Sequence, residues 1–192
     1  KSFLKKERKT TSVALVGPGA GSNSKTMKFT EEILKQIKYV ILDADALNSF
    51  QHKTKKLLKH LDKFKLITPH KKEFHRLFPS IKMNLEDKEK VLKFIKLCKS
   101  NILLKGNTTF IGSNKKIIKN THSSSELAVI GSGDVLAGII ASLVGDNKMS
   151  IIEAAAAAAW LHGDIARKYG KGLIAEDLIK GIQSGLERVA KK

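Results

Sequence analysis

A glycine turn that opens an apolar stretch is the sharpest chemical feature of this sequence. Gly131-Ser132-Gly133-Asp134 leads directly into Val135, Leu136, Ala137, Gly138, Ile139 and Ile140. Such a turn predicts the start of a buried helix, whose free N–H groups and positive dipole end form a hole for a phosphoryl group. Asp134 stands in the first turn beside that hole, placed to accept a proton from a hydroxyl that attacks phosphorus. An acidic residue there also satisfies the helix dipole without doing chemistry.

Four more segments carry residue types suited to a site. Gly17-Pro18-Gly19-Ala20-Gly21 offers backbone N–H groups to an anion, although it is neither the spaced dinucleotide fingerprint nor a P-loop. Asp43 and Asp45, in Asp43-Ala44-Asp45-Ala46-Leu47-Asn48, suit a hydroxyl, a metal-bound water or a helix cap. Thr68-Pro69-His70, with Glu73 three residues on, supplies a ligand and a base, or a turn that opens a helix. In Leu104-Lys105-Gly106-Asn107-Thr108-Thr109 the lysine can neutralise phosphate charge. The alanine run 154–159, followed by Trp160, Leu161, His162 and Gly163, reads as close helix packing, with His162 a hydrogen-bonded core residue.

The elements that must position these residues alternate. Apolar runs at Ser12–Val16, Tyr39–Leu42, Lys65–Ile67 and Asn101–Leu104 predict strands. Helices are predicted over Thr26–Ile37, Lys53–Leu61 and Leu85–Cys98, the last from Val91, Phe94, Ile95 and Cys98 at helical spacing. Thr109–Ile111 and Lys116–Ile118 flank a Gly-Ser-Asn turn and predict a hairpin. The last third is helical over Asp134–Leu143, Ser150–Tyr169 and Ala175–Val189, with Ser150 and Glu153 spaced as a capping box. This rhythm predicts an α/β fold: a mostly parallel central sheet with helices on both faces and the strand-end loops gathered on one edge.

Composition bounds the partners. The 192 residues include 36 basic and 18 acidic side chains, a net charge of +18. Thirty-two of the basic residues are lysine and only four arginine, and aromatics make up 6%. Base readout favours arginine and stacking needs aromatic rings, so no specific nucleic-acid partner is expected. No apolar stretch approaches the length of a membrane helix, and no membrane partner is expected. A lone cysteine, Cys98, excludes an intramolecular disulfide framework, with a cytoplasmic location as the default. No linker or repeat divides the chain, so residues 1–192 read as one domain. Residues 1–11, with Lys5, Lys6, Arg8 and Lys9, read as a basic, poorly ordered lead-in.

The ordered set of motifs resembles the NAD(P)H-hydrate dehydratases, a carbohydrate-kinase-like branch of the ribokinase superfamily. Gly-Pro-Gly-Ala-Gly at 17–21, Leu-Asp-Ala-Asp-Ala-Leu at 42–47 and Ile-Thr-Pro-His-Lys-Lys-Glu-Phe at 67–74 carry it. So do Leu-Leu-Lys-Gly-Asn at 103–107, Gly-Ser-Gly-Asp-Val-Leu-Ala-Gly at 131–138, Leu-His-Gly-Asp at 161–164 and Ala-Glu-Asp-Leu at 175–178. The resemblance implies a ribokinase-like fold and a repair enzyme that dehydrates NAD(P)H hydrate at the expense of ADP or ATP, with Mg²⁺. It implies Asp134 as the base and Gly131, Ser132 and Gly133 as the anion hole. Lys105, Gly106, Asn107, Thr108, Thr109, Ser132 and Gly133 would bind the adenine nucleotide. Gly19, Gly21, His70 and Asp134 would lie around the hydrate. The metal ligands are not assigned, and a homo-oligomer is the expected assembly.

Two departures from the family pattern set further expectations. Family domains carry elements before the Gly-Pro-Gly strand, so the chain reads as a C-terminal portion whose first strand is an open edge with apolar surface exposed. The family's run Gly-Asn-Pro-Gly-Leu/Met-Ala-Thr-Gly-Gly is replaced, at preserved spacing, by Ser123-Ser124-Ser125-Glu126-Leu127-Ala128-Val129-Ile130-Gly131. Val129 and Ile130 add bulk where phosphate would approach, and Glu126 adds negative charge. Two alternatives therefore stay open: a small-molecule kinase of the same superfamily, and an inactive nucleotide-binding remnant.

Overall fold

Three short runs with almost no polar residues, Tyr39–Leu42 (β2), Lys65–Ile67 (β3) and Asn101–Leu104 (β4), form the buried middle of the sheet. Strands covered on both faces read as continuous apolar runs, which is why these three lie where the sequence places them. The computed structural model describes residues 11–190, so the basic lead-in lies outside the described residues except for Thr11. Val13–Val16 (β1), Thr109–Gly112 (β5) and Ile117–Asn120 (β6) complete a six-stranded sheet in the order β1-β2-β3-β4-β5-β6. β1 to β4 are parallel, and β4, β5 and β6 pair antiparallel.

Each parallel step moves one strand over in the same direction. Right-handed crossovers therefore put all the intervening helices on one face. These are α1 (Ser24–Gln36), α2 (Ala44–Asn48), α3 (Thr54–Leu58), α4 (Lys71–Leu77) and α5 (Asp87–Cys98). The opposite face is covered by α6 (Ser132–Gly145), α7 (Ile151–Tyr169) and α8 (Ala175–Ala190). Alternate strand residues feed two separate cores. Val40, Leu42, Ile67, Ile102 and Leu104 pack under α1–α5, while Ile41, Leu66, Leu103 and Ile111 pack under α6–α8. Helices on both faces of a mostly parallel sheet are what the sequence predicts.

Some local expectations are corrected. The helix expected over Lys53–Leu61 is only Thr54–Leu58, because His60 and Leu61 close three-residue turns onto Leu57 and Leu58. Ser150 does stand at the N-cap of α7, but its hydroxyl donates to the Glu153 carboxylate and accepts no backbone N–H. The short helices α2 and α4 have no predicted range, although a helix cap at Asp43 and a helix-opening turn at His70 are among the expectations: His70 does cap α4, whereas Asp43 makes no side-chain cap. In α5 the thiol of Cys98 is half-buried, and burial pushes it up to about 11, so it stays protonated.

β1 pairs only with β2 among the described residues, and Val13, Ala14 and Leu15 are half-buried there. Between α6 and α8 runs an apolar groove of about 460 Å³ lined by Val135, Ile139, Leu143, Ile179, Ile182 and Leu186. No described helix is long and apolar enough to cross a membrane.

Candidate functional site

The parallel strands deliver the chemistry to one edge. Gly17 follows β1, Asp43 follows β2, Thr68-Pro69-His70 follows β3 and Lys105 follows β4. Close backbone contacts fix their spacing. A Cβ on Gly17 would stand 1.8 Å from the Asp43 carbonyl oxygen, so only glycine lets these loops meet. The Lys105 N–H donates to the Pro69 carbonyl at 2.9 Å, and His70 and Lys105 form a parallel bridge.

At the centre, Lys105 Nζ donates to Asp43 Oδ1 at 2.7 Å, with the carboxylate only 1% exposed. Asp43 occupies the N-cap position of α2 but makes no side-chain cap, so its carboxylate serves the lysine. The turn that opens α6 lies against this pair: a Cβ at Gly133 would stand 3.3 Å from Lys105 Nζ and 3.8 Å from Asp43 Oδ2. Gly131 sits at φ +83, a conformation that favours glycine. The Ser132 N–H is spent on the Val129 carbonyl at 3.3 Å. Among the described residues, the N–H groups of Gly133 and Asp134 take no backbone acceptor, as is usual for first-turn donors. The N–H groups left for a ligand at this turn are therefore those of Gly133 and Asp134, two positions on from the expected start at Gly131.

His162 braces the turn from α7. Its Nε2 lies 3.0 Å from the Ser132 carbonyl oxygen and 3.1 Å from Ser132 Oγ. Burial pushes the ring down to about 4; the bond to Ser132 resists that shift and Lys105 adds to it. The imidazole is neutral at physiological pH, as a buried, hydrogen-bonded core residue should be.

His70 caps α4. Its Nδ1 accepts from the N–H groups of Lys72 and Glu73 at 3.1 and 3.3 Å, and the His70 N–H donates to Glu73 Oε2 at 2.9 Å. Burial lowers its pKa; Glu73 opposes that, and Lys105 and Arg76 reinforce it. Glu73 is buried and committed to this capping box. With Nδ1 accepting, a neutral His70 carries its proton on Nε2. Asp45, the other carboxylate of its segment, accepts from the Gly21 N–H at 2.9 Å and pins the glycine loop.

A cleft of about 500 Å³ opens among these parts, a volume suited to a small organic ligand. His70, Lys105, Gly106, Asn107, Thr109, Ser132 and Gly133 line it. Thr108 does not; it faces a neighbouring recess with Lys71 and Asp87. Gly19 and Gly21 lie on the same edge, at φ +64 and +75, without lining the cleft. Asp134 is exposed at the head of the apolar groove, one residue beyond the cleft lining. Sequence reasoning missed Ser123, Ser124, Ser125, Leu127 and His162 as cleft residues. For the residues at 123–127 the only signal was the preserved spacing of the altered glycine run; for His162 it was the Leu-His-Gly-Asp motif at 161–164. Within that run Glu126, Val129 and Ile130 are not in the lining, and Ile130 is 99% exposed, so its bulk projects into solvent.

The sequence pattern of the NAD(P)H-hydrate dehydratases matches residues 1–184. The chain belongs to that family. An ADP-dependent (S)-NAD(P)H-hydrate dehydratase of Neisseria meningitidis is 34% identical over 190 residues, covering 94% of this chain and 60% of the relative. The chain spans 29% to 60% of the length of the curated relatives it matches. A ribokinase-like superfamily protein of Enterococcus faecalis superposes with a TM-score of 0.84 at 23% identity, covering 97% of this chain and 66% of that one. An ADP/ATP-dependent NAD(P)H-hydrate dehydratase of Bacillus subtilis, co-crystallised with ATP and Mg²⁺, superposes with a TM-score of 0.76 at 23% identity, covering 96% and 71%. The fold is ribokinase-like, and the Gly131–Asp134 turn and the Leu161–Gly163 segment are joined by the contact of Ser132 with His162.

Proposed function

We propose that this chain carries the nucleotide half of a nicotinamide-nucleotide repair site, dehydrating NAD(P)H hydrate to NAD(P)H with ADP or ATP. The observation that carries the reading is the convergence, in a member of this family, of Lys105, the α6 N-terminus and the 105–109 loop on one cleft. The adenine nucleotide takes that cleft, with Lys105 to Thr109 around its AMP part and its terminal phosphate at Gly133 and Asp134. The hydrate lies toward Gly19, Gly21 and His70. Asp134 takes the proton of the ring hydroxyl as its oxygen attacks the terminal phosphorus. The bond from that phosphorus to the bridging oxygen breaks, and the shortened nucleotide leaves. The phosphorylated ring then loses phosphate and a proton, restoring the dihydronicotinamide.

Mg²⁺ fits as an ion carried by the nucleotide, because Mg²⁺ commonly takes one or two protein carboxylates together with substrate phosphates. The described residues hold no cluster of three metal-ligating side chains. Asp43 is buried and committed to Lys105, and no protein ligand for the ion is assigned; when bound, the ion would neutralise phosphate charge. A cytoplasmic setting, a homo-oligomer and the lack of a specific nucleic-acid partner belong to the same proposal, the last supported by the scarcity of arginine.

The test is recovery of NADH from its hydrate, followed at the dihydronicotinamide absorbance with ADP and then ATP. Asp134→Asn should lower turnover about 10²- to 10⁴-fold, the usual worth of a general base. Nucleotide affinity should hold or tighten, since a negative charge near phosphate is removed. An Asn variant that matches the parent takes Asp134 out of the reaction. A parent that binds nucleotide without turning over favours the inactive-remnant reading, which the altered 123–130 run motivates.

A further inference from the structure

One side of α7 is devoted to a single loop. Trp160, Gly163, Asp164 and Arg167 recur at i, i+3, i+4 and i+7 and so share a helix face. All four meet His122 or Ser123. The Trp160 ring stacks on His122, with centroids 4.9 Å apart and planes 12° apart. Gly163 admits the His122 carbonyl, since a Cβ there would stand 1.8 Å from that oxygen. Asp164 Oδ1 is 3.3 Å from His122 Nε2. Arg167 Nε donates to the Ser123 carbonyl at 2.8 Å.

Asp164 divides its two oxygens between different neighbours. While Oδ1 faces the loop, Oδ2 accepts both Nε and Nη2 of Arg188 from α8, at 3.0 and 2.7 Å. Both bonds end on Oδ2, which ties the carboxylate to α8 and leaves Oδ1 for the imidazole. Burial would raise the Asp164 pKa, but its bonds to Arg188 and His122 hold it below the ordinary aspartate value. It therefore stays charged throughout the neutral range. A carboxylate needed only to join α7 to α8 would not require the second oxygen to be spent on His122. Among the described residues Arg167 is bonded to the loop, not to another helix.

What the loop carries next is a cleft wall. Ser123, Ser124 and Ser125 follow His122 directly and line the cleft, whereas none of the four α7 residues does. We infer that Asp164, braced by Arg188, is a positioning residue for the adenine nucleotide: it holds His122 against Trp160 and so sets the serine wall against which the nucleotide lies. The inference rests on the nucleotide reading proposed above. Asp164 moves no proton and touches no ligand; it acts through the backbone that it anchors.

The chain's single tryptophan makes this testable without turnover. Trp160 emission reports the His122 stack, and calorimetric titration with ADP and with ATP, each with Mg²⁺, reports the cleft. Asp164→Ala removes both arms of the tie, and Arg167→Ala removes only the exposed bond to Ser123. Asp164→Ala should change the apo emission. Both variants should melt cooperatively and bind ADP or ATP about tenfold more weakly, the worth of one charge-assisted bond. If Asp164→Ala does not fold, Arg167→Ala decides alone. A lowered melting temperature with unchanged affinity makes the cluster purely structural and overturns the inference. A parent that binds neither nucleotide overturns the nucleotide reading, and this inference falls with it.

Discussion

Lys105 and Asp43 illustrate how one buried pair can serve an anion site. The carboxylate removes the cost of holding a lysine at the sheet edge, and the remaining ammonium protons stay available to a phosphate. His162 plays the companion role for the turn, and its protonation carries a stability signature. Its folded pKa of about 4 lies below the value of about 6.5 in an unfolded chain. Between those values the unfolded state binds the proton and the folded state does not. Stability is therefore complete above about pH 6.5 and falls as pH drops toward 4, by roughly 3 kcal/mol at most. Burial depresses His60, His70 and His75 as well, so their contributions have the same sign. Urea melts at intervals from pH 7 to pH 4 should show the decline. His162→Gln, whose amide nitrogen reaches the Nε2 position and can still donate to Ser132, should show a shallower slope; an identical slope would clear His162 of responsibility.

At the scale of elements, α6 and α7 differ in what their interior glycines do. Gly163 meets backbone: any side chain there drives into the His122 carbonyl. Alanine would gain roughly 1 kcal/mol of helix propensity yet lose more to the clash, a net cost of about 1–3 kcal/mol. A Cβ at Gly138 of α6 would meet nothing within 4 Å, so alanine there should stabilise by up to about 1 kcal/mol. Denaturation midpoints of the two variants should move in opposite directions; two shifts of one sign would contradict the packing described for α7. The elements also differ in legibility. β2, β3 and β4 are readable from sequence because strands buried on both faces are uninterrupted apolar runs. The α7 helix is readable from its alanines. The five residues of α2 and seven of α4 are too short for periodicity to show, and their starts are set by loop contacts. The serine wall at 123–125 has no periodicity either; its place comes from α7, forty residues away in the chain.

Over the whole molecule, simple strand order explains why a site could be read before the structure. Four parallel strands end on one edge, so motifs spaced along the sequence at 17–21, 43–45, 68–70 and 105–109 are bound to gather there. The antiparallel pair β5 and β6 then returns the chain to the other face, where α6 brings its N-terminus to the same edge. Which individual residues face the cleft was less legible, because neighbouring residues of one turn face different ways. Thr108 and Asp134 are absent from the lining of the cavity that Thr109 and Gly133 line. The claim at stake is that this cleft is where an adenine nucleotide lies. Crystals of the protein soaked with ADP or ATP and Mg²⁺ test it most directly. The account predicts terminal-phosphate oxygens about 3 Å from the N–H groups of Gly133 and Asp134, beside Lys105, with the AMP part along residues 105–109. Nucleotide density elsewhere, with the 131–134 turn empty, would contradict it.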